Sequence, residues 1–584
     1  MAKPVRFRTD ADKKAFWHST SHILADAVTR LYPDVKLGFG PAIEEGFYYD
    51  FYRSKPFDYE ELQKIEQVMK KIIKEDKFFK QIYKSKKEAN EFYQKEPFKK
   101  ELIKEIEENK ISFHKHGEFA DLCNNPVIES AGQVKAFKLL NTAAAYWRGD
   151  NKREMMQRIY GISFPTKEQL DEYLALLEAR ERKDHRKIGP KLKLFTQVEE
   201  VGTGLPLWLP KGATIRRVIE RYITDKELKE GYEHVYTPAL ARTKLYELSG
   251  HLNHYRDHMY PVMKVDTEDL VLRPMNCPHH IQIYKFESRS YNDLPIRLAE
   301  LGTMYRYEAS GALYGLARVR GMTLNDAHIF CTPEQVEDEV KKALKFIRDV
   351  YADMGLIDYY LMLSLHDPKN KEKYIDNDVM WKKSENSLRK VLKSIKVDFV
   401  EKEGEAAFYG PKIDVQVKNV HGKEETLATI QLDFNLPEKF QLEYVDNNNQ
   451  KKRPVMIHRG GLSTMERLTA FLIERYEGAF PLWLSPVQVR VLTFTDRNVK
   501  FADKIKEEFL QQGLRIETDY SNRTVEYKVR DAELNKIPYI IVIGDKEEKN
   551  KTLAVRKRGV QGVKFGIKME DFSKQLQKEI DSKA

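Results

Sequence analysis

Apolar residues between positions 166 and 187 recur at the spacing of one helix face. The residues at i, i+3, i+4 and i+7 are Leu170, Tyr173, Leu174 and Leu177. This order predicts an amphipathic helix. Thr166 and Gln169 have the spacing of a capping box at its start, and we expect Gly189 and Pro190 to end it. A charged helix of this kind is typical of a linker between domains.

A different pattern begins after Ser485 and Pro486. Apolar residues then alternate with polar ones over residues 487–491, as in a half-buried strand. Two later apolar runs, residues 538–544 and 552–558, predict further strands separated by helical segments. Strands that alternate with helices predict a small α/β domain.

The stretch between these two segments mixes strand-like runs with helices, one of them preceded by Thr332, Pro333 and Gln335 as a start signal. It predicts a large α+β body. The predicted domains are residues 1–163, a linker helix at 164–189, the α+β body at 190–484 and the α/β domain at 485–584.

Composition narrows the class of protein. The 584 residues are 41% hydrophobic and 33% charged, with a mean hydropathy of −0.61, which is typical of a soluble chain of several domains. An uninterrupted apolar stretch of transmembrane length and the apolar core of a secretory signal are both absent from the sequence. Three cysteines are too few for a disulfide framework, so we expect a reducing, cytoplasmic location. The net charge of +10 permits a nucleic-acid partner without deciding for one.

Two segments are candidates for binding phosphate, although the glycine patterns of P-loop and Rossmann sites are absent from the sequence. Residues 301–320 are typical of a strand, a glycine-containing loop and a second strand. Three arginines, Arg306, Arg318 and Arg320, are placed to converge on a phosphate. Alone, this pattern fits an ordinary hairpin better. In the second segment, Ser463 and Glu466 are expected to cap a helix whose first turn holds Arg467. An arginine there opposes the helix dipole, and a bound anion explains it.

Histidine and cysteine positions suggest metal or catalytic sites. His18 and His22 lie four residues apart and share one face of a predicted helix, although such pairs are more often surface or core residues than ligands. Cys277, followed closely by His279 and His280, is the better metal candidate. Its partners cannot be identified from local spacing.

Taken together, these segments resemble the class II aminoacyl-tRNA synthetases, and among them the threonine-specific family, over nearly the whole chain. Residues 209–238 resemble motif 1, residues 306–318 motif 2 and residues 460–467 motif 3. The phrases PMNCPHH, RVRGMTLNDAHIF, FYGPKI, TIQLDF and VMIHRGG occur in the family's order. The resemblance implies an α+β multidomain fold: an antiparallel class II sheet as the core, dimerised through motif 1, an N-terminal α+β editing-type domain and a C-terminal α/β anticodon-binding domain.

The resemblance also implies a zinc ion, one per subunit, because Cys277, His328 and His458 match the family's ligands. A metal that takes the substrate hydroxyl solves a selection problem, since an apolar pocket separates threonine poorly from isosteric valine. The residues that match threonine contacts are Asp326, Tyr409, Gln431 and Met275. Leu324 departs from the family, which often has glutamine there.

ATP, Mg²⁺ and tRNA(Thr) are the other implied partners. By resemblance, Arg306 holds the α-phosphate, Glu308 lies near adenine or the amino acid, and Arg318 and Arg467 hold the outer phosphates. His251 matches the histidine implicated in transfer to tRNA. A catalytically inactive tRNA-binding paralogue is the alternative, and it predicts loss of a motif arginine or a zinc ligand, all of which are retained. A synthetase for serine or proline does not explain the zinc ligand set, and a freestanding editing hydrolase does not explain motifs 2 and 3.

The N-terminal segment resembles an editing domain that hydrolyses seryl-tRNA(Thr). The residues that match its pattern are His18, His22, Asp121 and Cys123. The expected histidine four residues after the cysteine is replaced by Val127. His114 and His116 lie upstream as possible substitutes, and the family's small ubiquitin-like first domain has no room before this segment.

The last hundred residues resemble an anticodon-binding domain. Asn522, Glu547 and Arg556 match positions that read or stack on anticodon bases. A set of basic residues fits either phosphate contacts or a solvated face equally well, namely Lys528, Arg530, Lys557 and Arg558.

Overall fold

The computed structural model describes residue 7, residues 9–150 and residues 152–583. The chain divides into two compact units, one up to residue 179 and one from residue 180 onward. Each unit has its own buried apolar core. Among the described residues, none of the helices combines the length and apolar character that a bilayer crossing requires.

The N-terminal unit contains two antiparallel sheets and the helices packed on them. Its helices are α1 (Asp10–Leu31), α2 (Tyr59–Glu75), α3 (Lys86–Phe92), α4 (Pro97–Glu105) and most of α5 (Lys167–Lys183). Its strands are β1 (Lys36–Leu37), β2 (Phe47–Tyr52), β3 (Lys80–Ser85), β4 (Lys110–His116), β5 (Phe119–Leu122), β6 (Ala136–Tyr146) and β7 (Met155–Phe164). The strand orders are β1-β2-β7-β6 and β3-β4-β5. Thr9 caps α1 with a capping box, and α1 carries both His18 and His22 as predicted.

The predicted linker helix begins as expected but ends early. Thr166 accepts a hydrogen bond from the Gln169 backbone N–H, at 3.3 Å, and α5 follows. The expected end at Gly189 and Pro190 is wrong, because α5 stops at Lys183 and Asp184 caps a second helix, α6 (His185–Lys191), by accepting from the Arg186 N–H at 2.8 Å.

The C-terminal unit is built around one large mixed sheet. Its further helices are α7 (Pro210–Lys229), α8 (Thr243–Ser249), α9 (His251–His254), α10 (Cys277–Lys285), α11 (Val336–Asp353), α12 (Asp378–Ser394), α13 (Asn435–Lys439), α14 (Met465–Tyr476), α15 (Val499–Gln511), α16 (Val525–Leu534), α17 (Asp545–Asn550) and α18 (Met569–Asp581). Its first strands are β8 (Phe195–Thr196), β9 (Leu207–Trp208), β10 (Glu233–His234), β11 (Leu240–Arg242), β12 (Met263–Val265), β13 (Glu268–Leu272), β14 (Ile296–Tyr305), β15 (Gly321–Cys331), β16 (Tyr359–Leu365), β17 (Phe399–Glu403), β18 (Lys412–Lys418) and β19 (Glu424–Asp433). The remaining strands are β20 (Tyr444–Val445), β21 (Lys451–Lys452), β22 (Val455–Thr464), β23 (Val489–Thr493), β24 (Ile516–Asp519), β25 (Tyr539–Ile543), β26 (Thr552–Lys557) and β27 (Lys564–Lys568).

The large sheet has the order β10-β14-β15-β22-β19-β18-β16-β17. Its central strands β14, β15, β22, β19, β18 and β16 pair antiparallel in that sequence, and only the two edge pairings are parallel. Helices α11 and α14 bury their apolar sides in the core that this sheet shares. Because β22 is buried along its whole length, polar side chains on it must find partners within the protein.

The predicted C-terminal α/β pattern is present in the structure. Strands β24, β23 and β25 are parallel, and β26 and β27 add to the sheet antiparallel. Their carboxyl ends therefore meet at one edge of this small sheet. Loops at such an edge are a common place for ligand contacts in α/β folds.

Candidate active site and editing site

A cavity of about 470 Å³, open to solvent, lies on the central strands of the large sheet. One end is lined by Cys277, Asp326 and His458, and the other by Arg306 and Arg467. The sequence motifs thus converge on one pocket, because strands β15, β19 and β22 are neighbours.

Cys277, His328 and His458 form a buried cluster whose potential ligand atoms all lie within 4.8 Å of one another. His328 on β15 and His458 on β22 are direct cross-strand partners, and Cys277 begins α10. Two imidazole nitrogens and one cysteine thiolate are a set of donors that suits zinc. Within the described residues His328 Nε2 is buried without a hydrogen-bond partner, so its lone pair is available to a cation and the donor set fits the metal.

Hydrogen bonds behind the cluster orient both imidazoles, and local spacing did not reveal them. His280 Nδ1 lies 2.8 Å from His328 Nδ1, and His280 Nε2 lies 3.1 Å from Glu300 Oε2. On the other side His458 Nε2 lies 2.8 Å from Asp433 Oδ2. Such outer partners fix the tautomer and direction of metal-binding histidines.

The residues expected to contact threonine border the same end of the cavity. Asp326 accepts a hydrogen bond from Asn276 Nδ2 at 2.9 Å, and burial raises the pKa of its carboxyl group. Tyr409 donates to Gln431 Oε1 at 2.5 Å. Met275 and Leu324 complete this part of the wall. Leu324 therefore presents an apolar surface where the family often has an amide.

The motif arginines surround the other end. Arg306 is held by the Pro274 carbonyl at 3.3 Å, and Arg467 donates to the Ala317 carbonyl at 3.0 Å. Burial lowers the pKa of the Arg467 guanidinium; Glu425 opposes this, while the charges of Arg306 and Arg318 lower it further. Three guanidinium groups that repel one another mark a site prepared for a polyanion.

Two details of the phosphate end differ from expectation. Arg318 pairs with the Glu308 carboxylate, with Nε and Nη2 at 3.0 and 2.8 Å from Oε2. The helix α14 is capped by Thr464, which accepts from the Arg467 N–H at 3.0 Å, so the prediction that Ser463 caps it is wrong. Ser463 instead has a φ of 64° at the turn into the helix.

His251 is fully buried beside the cavity. Its Nδ1 lies 2.8 Å from Ser249 Oγ and its Nε2 lies 3.1 Å from Met275 Sδ. The imidazole therefore contacts Met275, which lines the end of the pocket that holds the candidate metal cluster.

The N-terminal unit brings a second set of predicted residues together. His18 Nε2 lies 2.9 Å from Cys123 Sγ and 3.2 Å from His22 Nε2, and His22 Nδ1 lies 3.3 Å from Asp121 Oδ2. Burial raises the pKa of the Cys123 thiol, but hydrogen bonds with His114, His18 and His22 outweigh it and lower the pKa to about 4. His114 lies directly across from Asp121 on the paired strand β4.

Asp121 lies at the centre of this site and has partners that the sequence pattern did not indicate. Its carboxylate accepts from the Tyr49 and Tyr93 hydroxyls at 2.7 and 2.9 Å and pairs with buried Lys99. Burial lowers the pKa of His22, but contacts with Asp121 and Cys123 outweigh it and raise the pKa to about 9. The site therefore holds a thiolate next to an imidazolium.

Comparison with known proteins identifies the domains of the chain and its family. Residues 260–476 match the tRNA synthetase class II core domain (G, H, P, S and T), residues 488–579 an anticodon binding domain, and residues 111–160 the threonyl and alanyl tRNA synthetase second additional domain. Threonine–tRNA ligase from Anoxybacillus flavithermus is 54% identical over 93% of this chain and 85% of that protein. Threonine–tRNA ligase 1 from Bacillus subtilis is 52% identical over 95% of this chain and 87% of that protein. The chain belongs to the threonine–tRNA ligase family.

A solved structure agrees with this assignment to the threonine–tRNA ligase family. The RNA binding domain of threonyl-tRNA synthetase from Cryptosporidium parvum superposes with a TM-score of 0.65 at 36% identity, over 68% of this chain and 98% of that one. The class II core, the anticodon-binding domain and the editing-type domain expected from the sequence are all confirmed by the matched families.

The predicted anticodon residues of this threonine–tRNA ligase family member are only partly brought together. Asn522 follows β24 and Glu547 follows β25 in the chain, so both lie at the carboxyl edge of the small sheet. Arg556 pairs with Ile540 near the other end of β25. The prediction that Lys528 contacts phosphate is wrong, because its side chain is buried and donates to the Thr493 carbonyl at 3.0 Å.

Proposed function

We propose that the chain activates threonine with ATP and transfers it to the 3′ end of tRNA(Thr). The observation that carries this proposal is the single cavity that joins the Cys277 and His458 cluster to Arg306 and Arg467. A cation-binding end for the amino acid and a cationic end for triphosphate are the two halves of an adenylate-forming site. The retained arginines and ligand set count against the inactive tRNA-binding paralogue.

At the threonine end we propose that Cys277, His328 and His458 hold one zinc ion per subunit. A zinc ion held there would supply Lewis acidity toward the amino and hydroxyl groups of threonine. Asp326 accepts the proton of that hydroxyl in a hydrogen bond. Valine has no hydroxyl to donate to Asp326, and losing a hydrogen bond to a buried carboxylate is costly, so valine is rejected.

At the ATP end Arg306 binds the α-phosphate, and Arg318 and Arg467 bind the outer phosphates together with Mg²⁺. Binding requires Arg318 to exchange the Glu308 carboxylate for phosphate oxygen, which leaves Glu308 available to adenine or the amino acid. A carboxylate oxygen of threonine then attacks the α-phosphorus in line, the bond to the β-phosphate bridging oxygen breaks, and pyrophosphate leaves. The arginines act by position and by stabilising charge on the phosphoryl oxygens.

In the second step a terminal ribose hydroxyl of tRNA attacks the threonyl carbonyl, and AMP leaves. His251 is the proposed participant on the protein side, since it lies against Met275 at the threonine end. Asn522, Glu547 and Arg556 are proposed to contact the anticodon.

We also propose hydrolytic editing of seryl-tRNA(Thr) in the N-terminal unit. Serine carries the same hydroxyl as threonine, so the activating site cannot exclude it strongly and a second site is required. The thiolate of Cys123 with the charged His22 supports this proposal. His114, which contacts the Cys123 thiol, is the proposed substitute for the histidine expected at position 127, where this chain has Val127.

The assembly and location are also proposals. Motif 1 ends near exposed apolar side chains, Leu228, Tyr236 and Leu240, and Tyr236 is 91% exposed. Large apolar side chains left exposed along motif 1 favour a protein interface, and we propose a homodimer formed through it. We propose a cytoplasmic enzyme, where tRNA and ATP are available.

Amino-acid-dependent ATP–pyrophosphate exchange on the purified protein tests the main proposal. Strong exchange with threonine, weaker exchange with serine and almost none with valine are expected. Absence of exchange with threonine would overturn the proposal in favour of the tRNA-binding paralogue. Editing is tested separately by deacylation of seryl-tRNA(Thr), which we expect the Cys123→Ala variant to lose.

A further inference from the structure

His185 is a fully buried histidine that the proposed reaction does not use. It follows Asp184 at the start of α6, and with Asp184 and Glu474 it forms a buried group of potential ligand atoms within 4.8 Å. Both of its ring nitrogens are already engaged. His185 Nδ1 lies 2.6 Å from Glu474 Oε1, and the Leu316 backbone N–H donates to Nε2 at 3.1 Å.

These two bonds determine the state of the ring. Because Nε2 accepts from an amide N–H, it carries a lone pair and the proton resides on Nδ1, which donates to Glu474. Neither nitrogen then has a lone pair free for a metal. The group of Asp184, His185 and Glu474 is therefore a hydrogen-bonded joint, in contrast to the Cys277 cluster.

The joint connects the loop of motif 2 to the helix of motif 3. Leu316 and Ala317 are consecutive loop residues: the first donates its N–H to His185, and the second accepts from Arg467 Nε at 3.0 Å. Arg467 and Glu474 both lie on α14, seven residues apart and so on one face of the helix. The loop is thus tied at two adjacent peptide groups to two points of one helix.

The loop also wraps closely around the His185 ring. A Cβ atom at Gly315, whose φ is 48°, would lie 2.2 Å from His185 Nε2. The Tyr314 hydroxyl donates to Asp184 Oδ2 at 3.3 Å, and the Arg186 guanidinium stacks 4.1 Å from the Tyr314 ring centre. The segment 184–186 therefore holds the loop from outside, immediately before Arg318.

We propose that His185 is a positioning residue for ATP. Through Leu316 and Glu474 it sets the distance between the motif 2 loop and α14, and so brings Arg318 and Arg467 onto the same outer phosphates. It does not touch ATP itself, since it has no exposed surface. This inference rests on the proposed function in so far as the arginines bind ATP.

Two substitutions separate the two hydrogen bonds. His185→Gln keeps an acceptor near the position of Nε2 and so keeps the Leu316 bond. His185→Asn keeps a donor near the position of Nδ1 and so keeps the Glu474 bond while it loses the one to Leu316. His366→Asn is the matched control. His366 directly follows β16 and makes a similar 2.7 Å contact with Glu385 on α12, and neither residue lines the cavity.

The experiment measures the Kd of Mg·ATP by calorimetry and the hydrogen exchange of loop amides in the full chain. We expect His185→Asn to raise the Kd about fivefold to tenfold, the effect of one buried hydrogen bond, and to speed exchange of the Leu316 amide. His185→Gln, which breaks the tie to Glu474, should also raise the Kd but leave exchange of the Leu316 amide within about twofold. His366→Asn should leave both within about twofold, and the KM for threonine should change in none of the three variants.

Two results would overturn the inference: unchanged exchange of the Leu316 amide in His185→Asn, or faster exchange there with an unchanged Kd. Mg·ATP binding is measured without amino acid, so failure of the proposed function gives a different result. If the proposed function fails, threonine-dependent ATP–pyrophosphate exchange is absent in the unaltered protein, while the Kd of Mg·ATP still changes in the three variants as expected.

Discussion

His280 Nδ1 lies 2.8 Å from His328 Nδ1, which places one histidine directly behind another in the candidate metal cluster. Since Glu300 accepts from His280 Nε2, the Nδ1 of His280 is the acceptor and His328 donates its own Nδ1 proton. His328 Nε2 then faces the cluster with a lone pair. Glu300 and His280 thus orient His328 as a ligand in the absence of a metal.

Replacing His280 by alanine should therefore weaken zinc binding. We expect the zinc affinity, measured by competition with a chelator, to fall about 10- to 100-fold, as is usual when the partner behind a ligand is lost. His279→Ala is the control, because the adjacent histidine makes no hydrogen bond to the ligands among the described contacts. Equal loss in both variants would contradict an orienting role for His280.

Cys123 should react as a thiolate across the neutral range. Its pKa is lowered to about 4 by His114, His18 and His22, so the anion is present above that pH and its fraction no longer changes. We expect the alkylation rate by iodoacetamide, followed by mass spectrometry, to be flat from about pH 5.5 to 8.5, whereas an ordinary thiol gains about tenfold per pH unit up to about 8.5.

The same measurement on His114→Ala tests which imidazole holds the thiolate. Loss of the largest of the three imidazole contacts should raise the pKa of Cys123 and restore a slope at acidic pH. Cys331 serves as an internal control for unfolding, because its thiol is fully buried and should stay unreactive while the protein is folded. A tenfold rise per pH unit in the unaltered protein would show that Cys123 is an ordinary thiol.

Leu324 offers a direct test of the threonine pocket. It lines the cavity and packs against Met304 and Met322. Leu324→Gln adds an amide to the wall, and one new hydrogen bond to the substrate lowers the KM for threonine about two- to tenfold. Pyrophosphate exchange at saturating ATP measures this, with the KM for ATP as the control. A raised KM for threonine would show that apolar packing at this position matters more than a polar contact.

Arg459 and Glu227 form an ion pair in which both side chains are fully buried. Glu227→Ala leaves the guanidinium uncompensated, so we expect a loss of about 3–5 kcal/mol in the unfolding free energy. Urea unfolding measures the loss. Glu401→Ala, which breaks the partly exposed pair with Arg389, should cost less than about 1 kcal/mol. Comparable losses in the two variants would contradict this assignment.

Local order along the chain predicted much of the fold. The linker helix started at Thr166 as expected because a capping box needs only residues three apart. The helix ended early because Asp184 caps the next helix, α6, and this cap outweighs the stop signal of Gly189 and Pro190. The cap of α14 was misplaced by one residue for a similar reason: Ser463 and Thr464 are both good caps, and the turn geometry selects between them.

The partners of Cys277 and His18 show what local order does not contain. His18 and His22 share a helix face by their spacing alone. Asp121 reaches His22, and Tyr49 and Lys99 reach Asp121, only through the packing of separate strands and helices. The contact between His280 and His328 could not be predicted either, although His280 stands three residues after Cys277 in the sequence.

By itself the sequence determined the elements, their order and the chemical groups available to the sites. Periodicity and caps act over a few residues, so a reader of the chain can find them. Only the tertiary structure decided that His328 faces His458 across two strands and that His185 holds the loop before Arg318. Strand register depends on hydrogen bonds between segments far apart in the chain, and alternation within one strand specifies a face but not the neighbour.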